Sequence, residues 1–439
     1  MGFVRKYLSA DGLIKTVQKS LELERFKVCK NSEYSWKDCI MSGLAIFGLK
    51  LPSLLQFEKL KSSESWVCRT LRTLYGVNKA PSDTTLRERL DTIQPSHLRR
   101  GFKQIFANLQ RGKALESFQY LGGHYIISID GTGQYYSKNV HCDNCCEKNH
   151  RDGSKGYYHQ MLGAVLVHPE QKIVIPLAPE PIVKGDGDTK NDCERNAAKR
   201  LLTDLRREHA HLKVLIVEDG LASNFPHLSL LDSLSMNYII GVKPGDHVYL
   251  FNHIGKSTPK VHIQHDADGT IHEFRYYMDV PLNEAHSDYL VNVLEYSETK
   301  ASGKQQRFSW VTKLKISDKN VYEVMRAGRS RWRIENETFN TLKNQGYNFE
   351  HNYGHGYNNL CSVMTMLMML SFLIDQVQSL CCKVYQQVRK HIGPLYALFE
   401  TVRTLIKYSH WDSWEHLYRF IGDPSSRPPP DESCFIKLP

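Results

Sequence analysis

From Tyr120 onward the chain alternates short apolar, β-branched runs with charged helical stretches, and this alternation restricts it to an α/β sheet. Residues 125–129 (YIISI) form a strand signal that ends in Asp130-Gly131. Residues 159–167 and 173–178 read as two further strands, and 191–210 as a charged helix. Residues 213–217 (KVLIV) make a strand that stops at Glu218-Asp219-Gly220; a helix over 225–235 and a strand over 238–242 follow. Three strands, a helix, a strand, a helix and a strand in that order describe a sheet of mixed pairing with helices on its faces. Between 246 and 317 the helical period is lost. Residues 272–278, 289–295 and 306–313 alternate as strands between Gly and Asp turns, so a β-rich insertion is expected there. Helical spacing returns at 318–343 and continues from 357 to about 408. No internal repeat is visible.

Charge divides the chain differently. Its 57 Lys and Arg against 47 Asp and Glu give +10, and residues 1–120 hold 21 basic and 11 acidic side chains, so the whole excess lies there. Residues 1–115 read as helices with short loops. Residues 40–49 (IMSGLAIFGL) suit a buried helix, and Pro81-Ser82-Asp83 is a polar start before another. Arg87, Arg89, Arg99 and Arg100, with Lys103, cluster in this region. A basic helical unit attached to a neutral α/β core is the asymmetry of a nucleic-acid-binding module, although cations alone confer no sequence preference. The expected divisions are a basic helical DNA-binding domain (1–115), a first core segment (120–245), the β-rich insertion (246–317), a core helix with C-terminal helices (318–410) and a tail (411–439), Pro-rich at 425–431.

The remaining composition excludes several classes. With 41% hydrophobic and 24% charged residues the chain can bury a sizeable core. Residues 1–30 lack the apolar segment of a signal peptide. The longest apolar run, 360–374, is short for a bilayer span and reads as a buried helix, so no membrane association is expected. Eleven cysteines without an export signal point to a reducing, cytoplasmic compartment.

Three acids stand out. Asp130 and Asp219 both follow apolar strands, and ligands in such sheets gather where strands end. Asp-Gly is by itself an ordinary turn; two at neighbouring strand ends would bring carboxylates together. In the segment 328–343, wound at about 100° per residue, Trp332, Ile334, Phe339 and Leu342 share one stripe. Glu335 falls within that stripe one turn from Arg331, and Glu337 points nearly opposite. A core-facing carboxylate is costly unless a cation or a metal meets it, the alternative being an ordinary Arg331–Glu335 pair on a half-exposed helix. Three converging carboxylates suit a pair of Mg²⁺ ions and displacement at phosphorus.

The strings Ser128-Ile129-Asp130-Gly131, Val217-Glu218-Asp219-Gly220 and Arg331-Trp332-Arg333-Ile334-Glu335 resemble the DDE transposases of the insertion-sequence 4 type, in order and element type over about 120–375. The resemblance implies an RNase H-like core with a β insertion between the second Asp and the Glu. It implies Asp130, Asp219 and Glu335 as the metal-binding catalytic triad, and Arg331 as a DNA contact, with Arg333 and Lys343 beside it. Two positions depart from the family signature: Gly328 stands where a Tyr is usual, and Leu342 where a Lys is usual, with Lys343 one step late. The implied protein cuts the inverted-repeat ends of its element and joins them to target DNA as a homodimer in a prokaryotic, nucleoid-associated setting. Another RNase H-like nuclease or a catalytically inactive DNA-binding descendant are the alternatives, and a glycosidase is disfavoured by the concentrated basic charge.

Two further segments carry ligand types. Cys142-x-x-Cys145, with Cys146, His150 and then His159, suits a structural zinc site, the alternative being a loop of reduced thiols. Residues 184–192 could present backbone amides and Lys190 to phosphate, but the spacing is not that of a P-loop, and a flexible turn is the better reading.

Overall fold

The computed structural model describes residues 6–24, 26, 33–187 and 190–423, without the side chains of 190–192. The Pro-rich segment 425–431, the Lys190 side chain and parts of the 1–30 stretch lie outside the described residues.

Among the described residues the N-terminal part holds the α-helices α1 (Ala10–Glu22), α2 (Trp36–Gly48), α3 (Leu54–Lys61), α4 (Ser65–Tyr75), α5 (Asp83–Asp91) and α6 (Arg99–Arg111). Ser side chains cap the starts of α1, α2, α3 and α5. Ser35 accepts from the Asp38 N–H at 3.0 Å and Ser82 from the Thr85 N–H at 3.3 Å, each satisfying an otherwise unpaired first-turn donor.

The sheet follows. It comprises β1 (Gln119–Tyr120), β2 (His124–Ser137), β3 (Cys146–Asn149), β4 (Lys155–His168), β5 (Gln171–Pro176) and β6 (Glu180–Ile182), then α7 (Lys190–Glu208), β7 (Val214–Glu218), α8 (Phe225–Ser233) and β8 (Asn237–Gly241). After a short α9 (Val248–Ile254) come β9 (Lys260–His265), β10 (Ile271–Asn283), β11 (His286–Thr299) and β12 (Gln305–Thr312). The path is β3-β4-β2-β7-β8-β12-β11-β10-β9, with β2, β7 and β8 parallel and β4 and β12 antiparallel on either side. This is the mixed α/β sheet with flanking helices expected of an RNase H-like core.

Three details differ from the sequence reading or add to it. β2 does not stop at Asp130-Gly131: Gly131 stays extended opposite Leu162 and pairing continues to Ser137 opposite Tyr157, because the long partner β4 supplies hydrogen bonds beyond the end of β7. The β-rich insertion continues the sheet of the preceding strands, a connection the sequence reading left open, since β12 pairs with β8. It also holds a helix, α9, too short for its period to register in the sequence.

The chain closes with α10 (Val321–Arg329), a π-helical segment at Ile334–Phe339, α11 (Asn340–Asn344), α12 (Leu360–Cys381), α13 (Lys383–Ile392), α14 (Leu395–Tyr408) and α15 (Trp414–Gly422). At 22 residues α12 runs past the apolar stretch read from sequence. It is long and apolar enough to cross a bilayer, yet 89% of its most apolar window is buried within the protein. The N-terminal helices and the sheet pack around it. Lys50 pairs with Asp375 of α12 at 2.6 Å in the interior, and Asp91 accepts the N–H groups of Tyr357, Asn358, Asn359 and Leu360 at 2.9–3.0 Å, capping α12 from a distant part of the chain.

Candidate catalytic centre

Asp130 and Asp219 occupy adjacent parallel strands. Ser128 lies opposite Val217, and two residues further along, where Asp219 keeps an extended backbone, the same register sets Asp219 beside Asp130 at the strand spacing of about 5 Å. Asp219 closes its strand as the turn its sequence implied, its Oδ1 accepting from the Leu221 N–H at 2.9 Å.

Glu335 arrives from the other side on the π-helix. Gly163 of β4, the register partner of Asp130, permits this approach: a Cβ there would stand 3.1 Å from the Phe339 ring and 3.5 Å from Ile334. Ser128 Oγ donates to the Arg331 carbonyl at 3.0 Å, tying the helix to β2. Arg331 then spans two acids, with Nη1 3.0 Å from Asp130 Oδ2 and Nη2 2.6 Å from Glu335 Oε1. One guanidinium is only about 2.3 Å between these nitrogens, so the two carboxylates lie within about 8 Å of each other. Burial, opposed by Arg331 and aided by Glu335 and Asp219, pushes the Asp130 carboxyl up to about 7.

The face argument for this helix holds in part. Ile334, Phe339 and Leu342 are buried, but Trp332 is 53% exposed and lines the cleft instead. Glu335 is likewise not core-facing; its side chain is 47% exposed at the site. The i→i+5 winding of residues 334–339 alters the angular spacing that a regular helix gives, which the sequence pattern does not reveal. Glu337 is turned away, paired with Arg333 at 3.1 Å.

A cleft of about 610 Å³ opens beside the acids, lined by Asp219, Lys243, Arg307, Arg329, Arg331 and Trp332. A smaller crevice joins Asp130 and Asp219 to Glu194 of α7. Glu194, which the sequence reading missed, lies where a methyl on Gly131 would be 3.1 Å from its carboxylate. It sits on a charged helix of several acids, and nothing local marks it. Glu218 forms a buried pair with His227 at 2.7 Å; burial opposes protonation of this His, but the carboxylate prevails and holds its pKa above the usual value. Gly328 is pressed against Trp310: a Cβ there would be 2.8 Å from the indole.

The basic residues separate by environment. Arg99 is nearly buried, with Glu208 at 2.8 Å, Asp204 at 3.3 Å and Glu180 at 3.5 Å. It therefore joins α6 to the sheet and α7, and is not presented to DNA. Arg89 stacks over Trp36 at 3.8 Å, Arg87 pairs with Asp83 at 2.8 Å and Arg100 with Glu24 at 2.9 Å. Arg333 also donates to the Pro169 carbonyl at 2.9 Å, and Lys343 pairs with Glu350 at 2.8 Å.

The expected zinc quartet does not assemble. Cys146 lies opposite Tyr158, so its side chain leaves on the face away from the neighbouring His159, and its Sγ donates to the Ile182 carbonyl at 3.8 Å. His150 Nε2 meets the Tyr136 hydroxyl at 2.8 Å. Cys142 and Cys145 gather with His159 and His355.

A family model described as a transposase DDE domain matches residues 121–373, more than half of the chain. No curated protein matches it.

Proposed function

The chain belongs to the transposase DDE domain family, and from that premise we propose that it is an insertion-sequence 4-type transposase in which Asp130, Asp219 and Glu335 form the catalytic triad. As a transposase it acts on DNA. The observation that carries the residue assignment is the approach of three acids from β2, the end of β7 and the π-helix, with Asp219 and Arg331 lining the adjoining cleft.

The donor set fits a hard divalent cation. Asp130 and Asp219 lie on adjacent strands and Glu335 meets Asp130 through Arg331; burial and these acidic neighbours drive Asp130 toward its protonated form, which a cation held by the carboxylates would relieve. Asp130, Asp219 and Glu335 would hold Mg²⁺, which when bound supplies Lewis-acid polarisation of the scissile phosphate and of the attacking oxygen. Arg331 occupies the anion-rich space between Asp130 and Glu335. Its guanidinium would offer a DNA phosphate two parallel N–H donors that match two phosphate oxygens. Trp332, exposed at the cleft, offers a flat face to a base beside the cut. The basic helices at 1–115 would hold the element's terminal inverted repeats through Arg87, Arg89 and Arg100; Arg99, enclosed by carboxylates, takes no part. Joining two ends to one target calls for a homodimer in the nucleoid of a prokaryotic cell.

The test uses DNA carrying the inverted repeats that flank the reading frame. Asp130→Asn, Asp219→Asn and Glu335→Gln are each expected to lower Mg²⁺-dependent cleavage and strand transfer by at least a thousandfold while end binding in a mobility-shift assay persists. Strand transfer at the wild-type rate by any one of them would refute the triad.

A further inference from the structure

We infer that Cys142, Cys145, His159 and His355 form a structural zinc site, separate from the catalytic acids. The four side chains come from three places. Cys142 and Cys145 lie on the loop between β2 and β3, His159 on β4, and His355 on the connection that leads from the Glu335 helix into α12. Cys145, His159 and His355 are buried, and all four ligand atoms lie within 4.8 Å of one another.

Their spacing is that of a tetrahedron's edges. With Zn–S of about 2.3 Å and Zn–N of about 2.05 Å, a tetrahedral ion separates two sulfurs by about 3.8 Å and a sulfur from a nitrogen by about 3.5 Å. The Cys142 and Cys145 Sγ atoms are 3.9 Å apart; His159 Nε2 is 3.4 Å from the first and 3.5 Å from the second, and His355 Nε2 is 3.3 Å from Cys145 Sγ. Two thiols and two imidazoles buried together hydrogen-bond one another poorly, and two thiolates with two neutral imidazoles are the donor set zinc prefers over magnesium. The cluster is not the catalytic centre. Asp130 pairs with Gly163, four residues along β4 from His159, a separation of about 14 Å. Bound zinc would pin the β2–β3 loop to a connection 210 residues away, beside the Asn144 side chain that donates to the Asn358 carbonyl at 2.6 Å. This inference holds whether or not the triad assignment does.

The full chain, purified under reducing conditions from zinc-supplemented medium, is expected to carry about one zinc per molecule by elemental analysis. Cys142→Ser with Cys145→Ser should lose it, whereas Cys146→Ser, His150→Ala and Asp219→Asn should keep it. Cobalt substitution should give thiolate-to-metal charge-transfer absorption in the near ultraviolet. His355→Cys should retain metal and strengthen that absorption, which distinguishes ligation from a fold that merely tolerates no change at this position. Metal-free protein that is folded, a Cys142–Cys145 disulfide, or zinc retained by the double serine variant would each overturn the inference.

Discussion

Asp130 is a carboxyl whose environment favours its neutral form. Its pKa rises from the ordinary carboxylate range to about 7 in the metal-free protein, chiefly through burial. For an acid with a raised folded-state pKa, the stabilising contribution is complete below its unfolded pKa and disappears as pH climbs through about 7. Metal-free protein should therefore lose roughly 2–4 kcal/mol of stability from this group between about pH 4 and 7. Asp130→Asn should flatten that part of the profile, as followed by urea unfolding in chelator; an unchanged slope would show that the Asp130 carboxylate is already comfortable. Gly131 is a second sensitive position. A methyl there meets the Glu194 carboxylate at 3.1 Å, so Gly131→Ala should weaken Mg²⁺-dependent cleavage by about tenfold through displacement of an acidic neighbour, about 1.4 kcal/mol. Mg²⁺ titration of the cleavage rate reads this directly.

The π-helix is positioned by what β4 omits. Gly163 leaves room for Phe339 and Ile334, and this contact lowers Glu335 toward Asp130. Gly163→Val should cost about 1–3 kcal/mol by overpacking and reduce cleavage more than it reduces DNA binding. Equal losses in both assays would mean that the whole core had shifted. On α10, Gly328 answers a departure that the sequence could only record. Its backbone lies against the Trp310 indole, so Gly328→Tyr, the residue of the signature this chain resembles, should lower the melting temperature without improving activity. The strands bearing Asp130 and Asp219 were legible because apolar alternation is a local signal, and so was a helix around Glu335. The π winding was not: nothing in residue type or period distinguishes i→i+5 from i→i+4 hydrogen bonding over 334–339.

At the scale of the molecule, the N-terminal helices and the core share one interior. The Lys50–Asp375 pair is buried in it, and burial lowers the Lys50 pKa against the pull of Asp375. Asp375→Asn leaves that ammonium without its counter-charge and should cost about 3–5 kcal/mol. Because Asp91 caps α12 and Arg99 binds Glu208, the loss should appear as one cooperative unfolding transition monitored by both circular dichroism and tryptophan fluorescence. Two transitions, with the basic helices melting alone, would instead support an independent N-terminal module.

Residue type and local period were enough to determine the α/β class, the strands that lead to Asp130 and Asp219, the position of Glu335 one turn after Arg331, and the placement of the excess positive charge. The tertiary structure alone decided which partners those residues meet: Arg331 with Asp130, Glu194 against Gly131, Arg99 enclosed by acids, and the Cys pair completed by His159 and His355 in place of Cys146 and His150. The reason is physical. Periodicity reports which way a side chain leaves its own strand or helix, whereas a pairing across some 200 residues is set by sheet register and by which element packs above it, and neither is written in the neighbouring sequence.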